Sequence, residues 1–268
     1  MKAPSFAYAR PGSLAEALAL LARPGAKILA GGQSLIPSLN MRLSSPELLV
    51  DITGLQDLRG FSFKNATLSV GALTTHAEIE KSSEIKAHVP LLAEAAPHIA
   101  HPAIRNRGTL GGSLALADPA AEYPACAVAL NATLVLQGRK SERRVPASSF
   151  FKGLFETGIR PGEILVAAEF PRVERSVFVE LARRHGDYAI VGLAAVADAS
   201  GKRLAFFGVE SKPVLAVQAG KAKSLEEAKS SLAKDLHPSA DLYNSPATKL
   251  HLAGVLLSRA WNTLSKPH

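Results

Sequence analysis

Two short stretches decide how this chain is read: Ala30-Gly31-Gly32-Gln33-Ser34-Leu35 and Thr109-Leu110-Gly111-Gly112-Ser113. The first follows the apolar run Lys27-Ile28-Leu29-Ala30, which reads as a short strand. It precedes a helix expected over residues 35–43, where Pro37 falls in the tolerant first turn. A glycine pair at a strand end lets the backbone turn through positive φ and show consecutive N–H groups to an anion. A serine directly after it adds a hydroxyl donor without crowding, and a helix beginning there adds partial positive charge. Because the pattern occurs twice, two such nests can clamp the two phosphates of one dinucleotide from opposite sides. For either pair alone, an ordinary turn is the competing reading. The chain contains no G-x-G-x-x-G after a strand and no G-x-x-x-x-G-K-[ST], which sets aside a Rossmann site and a P-loop. Spacing by itself therefore points to a phosphate-bearing ligand without saying which.

Around these turns the opening reads as short α/β units. Ser13 and Glu16 form a capping-box pattern ahead of a helix over residues 14–21, closed by Arg23-Pro24-Gly25. Residues 48–52 and 67–72 read as strands, and Thr74 or Thr75 caps a helix near 76–81. Further helices are expected over 90–100 and 121–131, with strands at 133–137 and 163–170. Pro171-Arg172-Val173-Glu174-Arg175-Ser176 is polar and contains proline, which marks a domain boundary. Beyond it, residues 177–181, 189–197 and 203–209 read as antiparallel strands, with Ser200-Gly201-Lys202 a tight turn. Helices over 224–232 and 248–264 follow, so strands and helices segregate as in an α+β domain.

Composition narrows the function. The 268 residues are 47% hydrophobic, an ordinary globular balance, and no run is long and apolar enough to span a membrane. The first ten residues lack the apolar core of a secretory signal, which leads us to expect a cytoplasmic chain. The single cysteine, Cys126, sits in an apolar helical stretch and reads as buried; one thiol cannot hold an iron–sulfur cluster or a thiolate zinc site. No metal ligands and no catalytic side chains are assigned: His76, His98, His101 and His185 have no metal-binding spacing. The net charge of +8 raises nucleic-acid binding, but the basic residues are scattered. The densest run, Arg139 to Arg144, reads as a solvated hairpin without stacking aromatics, so no nucleic-acid partner is expected.

The turns, together with Asn40-Met41-Arg42-Leu43, Pro46 to Ile52, Gly71-Ala72-Leu73-Thr74-Thr75-His76 and Ile104 to Ser113, closely resemble the FAD-binding medium subunit of molybdenum hydroxylases. That family includes carbon monoxide dehydrogenase, xanthine dehydrogenase and related N-heterocycle hydroxylases. The likeness continues through Ala117-Asp118-Pro119-Ala120-Ala121-Glu122 and Arg183-Arg184-His185-Gly186-Asp187-Tyr188-Ala189, in the family's order and over essentially the whole chain.

The resemblance implies an α+β protein. Residues 1–175 would form a two-subdomain FAD-binding fold of the vanillyl-alcohol-oxidase (PCMH) type, with subdomains near 1–55 and 56–175. Residues 176–268 would form a C-terminal α+β domain of the carbon monoxide dehydrogenase flavoprotein type, an antiparallel sheet with helices. It further implies that Ala30, Gly31, Gly32, Gln33, Ser34 and Leu35, with Thr109, Gly111, Gly112 and Ser113, hold the FAD pyrophosphate. Glu122 would lie near the ribityl–adenosine part, Leu165 near the cofactor, and Tyr188 would cover one face of the isoalloxazine ring. Two positions depart from the family pattern: Leu116 stands where His is common, and Glu180 lies where a Lys is often found beside the flavin.

The implied partners are a molybdopterin-binding large subunit and a small subunit with 2Fe–2S clusters, assembled as a dimer of heterotrimers. Electrons would pass from those clusters to FAD and on to an external acceptor. A stand-alone FAD-dependent oxidase or reductase of the same fold is the alternative, and it calls for substrate residues or a flavin-linking His or Cys in this chain.

Overall fold

The run beginning Leu14-Ala15-Glu16 forms the helix Leu14–Leu21 in the computed structural model, which describes residues 2–265. Ser13 caps it by accepting the Glu16 N–H at 3.2 Å. The Glu16 carboxylate turns to the Gly12 N–H instead of Ser13, so only half of the expected capping box forms. Ala17 and Leu18 of this helix pack on a three-stranded parallel sheet in which Leu48–Asp51 lies between Ala7–Ala9 and Ala26–Leu29. Parallel strands all end on one edge, so the chain leaving Leu29 and the side chain of Asp51 emerge together there. In open parallel sheets that edge is where ligands bind.

A five-stranded antiparallel sheet follows, ordered Phe61–Lys64, Thr67–Gly71, Ile164–Pro171, Thr133–Gln137, Glu142–Pro146. The first two strands are joined through Asn65 and Ala66, whose φ values of 51° and 57° suit a two-residue hairpin. Between Thr67–Gly71 and Thr133–Gln137 the chain makes a helical excursion that includes His76–Lys81, Pro90–Ala95, Leu110–Leu116 and Glu122–Ala129. Leu68, Val70, Leu134 and Phe170 of the sheet share one core with Leu91, Leu110, Leu114 and Cys126 of these helices. The helix expected over 90–100 stops at Ala95 and continues as a 3-10 turn, Ala96–His98, because Pro97 supplies no N–H donor. The basic run lies on the hairpin, as expected. There Arg143 is paired with Glu163, and Arg144 with Glu142 and Glu169.

The last sheet is antiparallel, ordered Arg175–Leu181, Val191–Asp198, Gly201–Phe207, Val214–Leu215. Val191–Asp198 is buried on both faces, and its alternation sorts two cores. Leu193, Ala195 and Ala197 pack with the closing helices Leu225–Asp235 and Pro246–Ser265. Ala194 and Val196 join the core built on the helix Glu122–Ala129. Gly192 is required opposite Phe207: a Cβ there would lie 2.0 Å from the ring. The whole is the expected α+β arrangement, with a parallel three-stranded unit, an antiparallel five-stranded unit and a C-terminal antiparallel sheet backed by helices.

Candidate functional site

At the carboxyl edge of the parallel sheet lies a cleft of about 420 Å³ lined by Ala30, Gly31, Gly32, Gln33, Asp51 and Arg107, among others. Its floor is the first glycine turn. Gly32 takes φ 73°, the left-handed region the turn demands. Gly31 needs no unusual φ but has no room for a side chain, since a Cβ would lie 2.1 Å from the Arg107 carbonyl oxygen. Gln33 Nε2 donates back to the Gly31 carbonyl at 3.1 Å and closes the turn. Among the described residues, the N–H groups of Gly31, Gly32, Gln33, Ser34 and Leu35 find no acceptor within the chain. Ser34 precedes the helix Leu35–Asn40 without capping it, so its hydroxyl is not spent on the backbone. A row of unspent donors beside the Arg107 cation suits a phosphate group.

The second glycine pair differs from the open turn the sequence suggests. Gly111 and Gly112 sit in the first turn of the helix Leu110–Leu116, capped by Thr109. Their N–H groups are already used: Gly111 donates to Ala72 O at 2.8 Å and Gly112 to Thr109 Oγ1 at 3.1 Å. Ser113 donates its N–H to the Thr109 carbonyl at 3.0 Å, leaving its hydroxyl as the polar group at this corner. What these glycines provide is closeness, because a Cβ on Gly111 would lie 2.4 Å from that of Ala72. Leu110 N–H also reaches Thr74 O at 2.9 Å, and Thr75 bridges Thr109. Segments 30–35, 72–76 and 107–113 thus converge, and the residues present fit a pyrophosphate with one donor-rich wall and one tightly packed wall.

Three further residues singled out in the sequence lie away from that cleft's lining. Leu165 is buried on the strand Ile164–Pro171, where the pairing is irregular up to Ala167. Beside it Val166 accepts the Ala72 N–H at 2.9 Å, tying this strand to the second glycine corner. Glu122 begins the helix Glu122–Ala129 and is only 8% exposed. Burial, with the charges of Glu180 and Asp118 behind it, raises its pKa to about 8. Tyr188 is an exposed aromatic, at 73%. Partial desolvation and then the charges of Asp118 and Glu122 raise its phenol pKa. Its loop is seated by Gly186, at φ 85°, where a Cβ would lie 2.9 Å from the Ala100 carbonyl oxygen.

Several polar contacts in the fold involve residues whose partners the sequence does not indicate. Asp51 takes hydrogen bonds from the Tyr8 hydroxyl and from Thr53 N–H and Oγ1. Burial pushes its pKa up, but those bonds and the charge of Arg10 outweigh it and hold the carboxylate below its ordinary range. Arg105 is 8% exposed, pairs with Glu80 at 2.9 Å and donates to the carbonyls of Pro97, Ile99 and Ala100. Glu180 has a side chain only 4% exposed, 3.2 Å from His98 Nδ1. The strand position of Asp51 was a usable signal; nothing local announces the other pairs. Cys126 is wholly buried, and its thiol pKa stands well above the usual range, first through burial. Among the described residues no three His, Cys, Asp or Glu side chains are grouped to hold a metal ion, and no helix is long and apolar enough to cross a membrane.

Comparison with known proteins agrees with this geometry. Residues 4–173 match the family described as the FAD binding domain in molybdopterin dehydrogenase, and residues 176–264 match the CO dehydrogenase flavoprotein C-terminal domain. The carbon monoxide dehydrogenase medium chain of Hydrogenophaga pseudoflava is 35% identical over 97% of this chain and 96% of its own length. Subunit alpha of the 6-hydroxypseudooxynicotine dehydrogenase complex of Paenarthrobacter nicotinovorans is 47% identical over 75% of this chain and 71% of its own length. Among solved structures, the H. pseudoflava enzyme lacking the Mo-pyranopterin moiety superposes with a TM-score of 0.94 at 36% identity, over 98% of both chains. Quinoline 2-oxidoreductase of Pseudomonas putida 86 gives 0.93 at 38% identity, again over 98% of each. The chain belongs to the FAD-binding medium subunits of the molybdenum hydroxylases, and its cofactor is FAD.

Proposed function

We propose that this medium subunit is the electron relay of a molybdenum hydroxylase. Electrons arrive from 2Fe–2S clusters of a small partner subunit and leave to an external acceptor. The substrate is oxidised on a molybdopterin-binding large subunit, and the assembly is a dimer of heterotrimers. The observation that carries this reading is a full-length likeness to medium chains in a sequence whose one cysteine is buried, so that the clusters have to be held elsewhere. When bound, FAD supplies the two-electron chemistry that connects one-electron clusters to the acceptor.

This chain's residues bind and orient the cofactor. The N–H row from Gly31 to Leu35, with Ser34, takes one side of the pyrophosphate, and Thr109, Gly111, Gly112 and Ser113 form the other. With FAD bound, Tyr188 would cover one face of the isoalloxazine ring and keep water off it, and Glu122 and Leu165 would flank the cofactor. We place the boundary between the FAD-binding and C-terminal domains at residues 175 and 176, so the ring cover comes from the second domain. Mixing chemically reduced small subunit with the FAD-loaded chain tests the relay: the flavin absorbance should bleach. A flavin that stays oxidised, or one bleached by a small substrate with no partner present, refutes it.

A further inference from the structure

The cleft at the edge of the parallel sheet is not electrically uniform. On one side stand the unspent N–H groups of the first glycine turn and Arg107. On the other stands Asp51, which pairs with Leu29 across the sheet and so lies beside the chain that leads into Gly31. Its carboxylate is 9% exposed and almost fully partnered. Oδ1 accepts the Thr53 N–H at 2.9 Å and the Thr53 hydroxyl at 2.6 Å, while Oδ2 accepts the Tyr8 hydroxyl. A carboxylate offers about four lone-pair sites, so Oδ2 keeps a position with no donor among the described residues. Burial opposes ionisation, but the bonds from Thr53 and Tyr8 outweigh it, and the group stands in the cleft as an anion.

A fixed anion repels phosphate, so Asp51 marks the part of the cleft where the ligand brings hydroxyl donors instead of negative charge. The remaining lining agrees with a nucleoside. Leu29, Ile36 and Pro37 give an apolar wall, with Ile36 38% exposed, and Asn40 adds an amide that both donates and accepts. Elsewhere among parallel sheets that bind dinucleotides, an acidic side chain beyond the glycine turn takes a ribose hydroxyl. Here that chemistry is available without the G-x-G-x-x-G turn.

We propose that Asp51 accepts a ribose hydroxyl of the adenosine half of FAD, with the purine against Ile36 and Pro37 and its edge met by Asn40. This rests on the reading that the first glycine turn holds the pyrophosphate, and it gives the cofactor a direction. The adenosine lies at the Asp51 end of the cleft, and the flavin extends away from it, past the second glycine corner. Tyr8 and Thr53 are positioning residues, since they orient the carboxylate and keep its remaining lone pair free for the ligand. FMN, which lacks the adenosine, forgoes this contact.

The test uses the full chain stripped of FAD and reads binding, not turnover. ADP, 2′-deoxy-ADP and 3′-deoxy-ADP compete with FAD, followed by flavin fluorescence. ADP should displace FAD, and at least one deoxy analogue should bind roughly tenfold more weakly than ADP, the effect of losing a hydrogen bond to a charged group. Asp51→Asn keeps an oxygen for Thr53 but turns the free acceptor into an N–H donor. It should weaken ADP by roughly tenfold and no longer tell the analogues apart. Equal binding of the three nucleotides by wild type, or undiminished discrimination by Asp51→Asn, overturns the proposal and leaves the pyrophosphate reading standing. ADP that does not displace FAD at all sinks both. The wild-type comparison decides the matter even if the variant fails to fold.

Discussion

The carbonyl oxygen of Arg107 occupies the space in which Gly31 would otherwise carry a side chain, 2.1 Å from where a Cβ would stand. The first glycine turn and the segment leading to the second are therefore in backbone contact, and neither neighbour is the yielding end of a side chain. Gly31→Ala should push them apart and weaken FAD binding at least tenfold, about 1.4 kcal/mol. Gly12→Ala, whose nearest atom is Glu16 Oε2 at 3.9 Å, should leave affinity unchanged. Fluorescence titration of the apoprotein with FAD checks both.

Tyr188 contributes little to the core, being 73% exposed. Tyr188→Ala should shift stability by less than about 0.5 kcal/mol. The same change should raise the emission of bound flavin, because a stacked phenol quenches it. Thermal melts and emission spectra of the two proteins separate these effects.

Two buried groups predict opposite pH dependences. His76 is 5% exposed, and burial followed by the Arg105 charge lowers its pKa from 6.5 to about 4. The unfolded chain binds the proton that the fold refuses, so between those values stability rises with pH. Glu122 goes from 4.5 to about 8, so the folded chain holds the extra proton and stability falls as pH rises through that window. On these groups alone the wild type is level from 4.5 to 6.5 and declines toward about 8. Glu122→Gln should abolish that decline, an effect on the order of 2 kcal/mol, in denaturant melts across the range.

Arg105 is the clasp of the loop that seats Tyr188. Its guanidinium donates to Pro97, Ile99 and Ala100, and Gly186 rests on Ala100. Arg105→Ala leaves those carbonyls and Glu80 without their donor and should cost about 3–5 kcal/mol. Arg105→Lys should recover only part, since one ammonium cannot reproduce the fork. Hydrogen exchange near residues 97–101 should quicken in both.

Local chemistry was the legible part of this fold. Ser13, Thr75 and Ser224 each cap a helix where the sequence places one, because a cap depends on neighbours three residues away. Ala7–Ala9 was not legible, since three residues with Tyr8 exposed carry no alternation and pair only through Leu48–Asp51. The second glycine pair was misread as a turn because Thr109, not the glycines, sets the local geometry by capping the helix. Glu180 and His98 meet only once the strand Arg175–Leu181 packs against the helix Pro90–Ala95 and its 3-10 extension. No motif bridges that separation, whereas the glycine pairs announce themselves by composition. Asp51 sat in view at a strand end, but its tie to Tyr8 depends on the parallel pairing.

The strand Thr67–Gly71 finds its neighbour in Ile164–Pro171, and the loop that carries Tyr188 lies later still. A nascent chain emerging from the ribosome therefore presents Gly31 and Gly32 long before Arg107, Ala72's partner strand and Tyr188 exist to complete their surroundings. The cleft floored by Gly31 and Gly32 is thus walled by residues far along the chain, and a truncation before Arg107 should remove its facing wall.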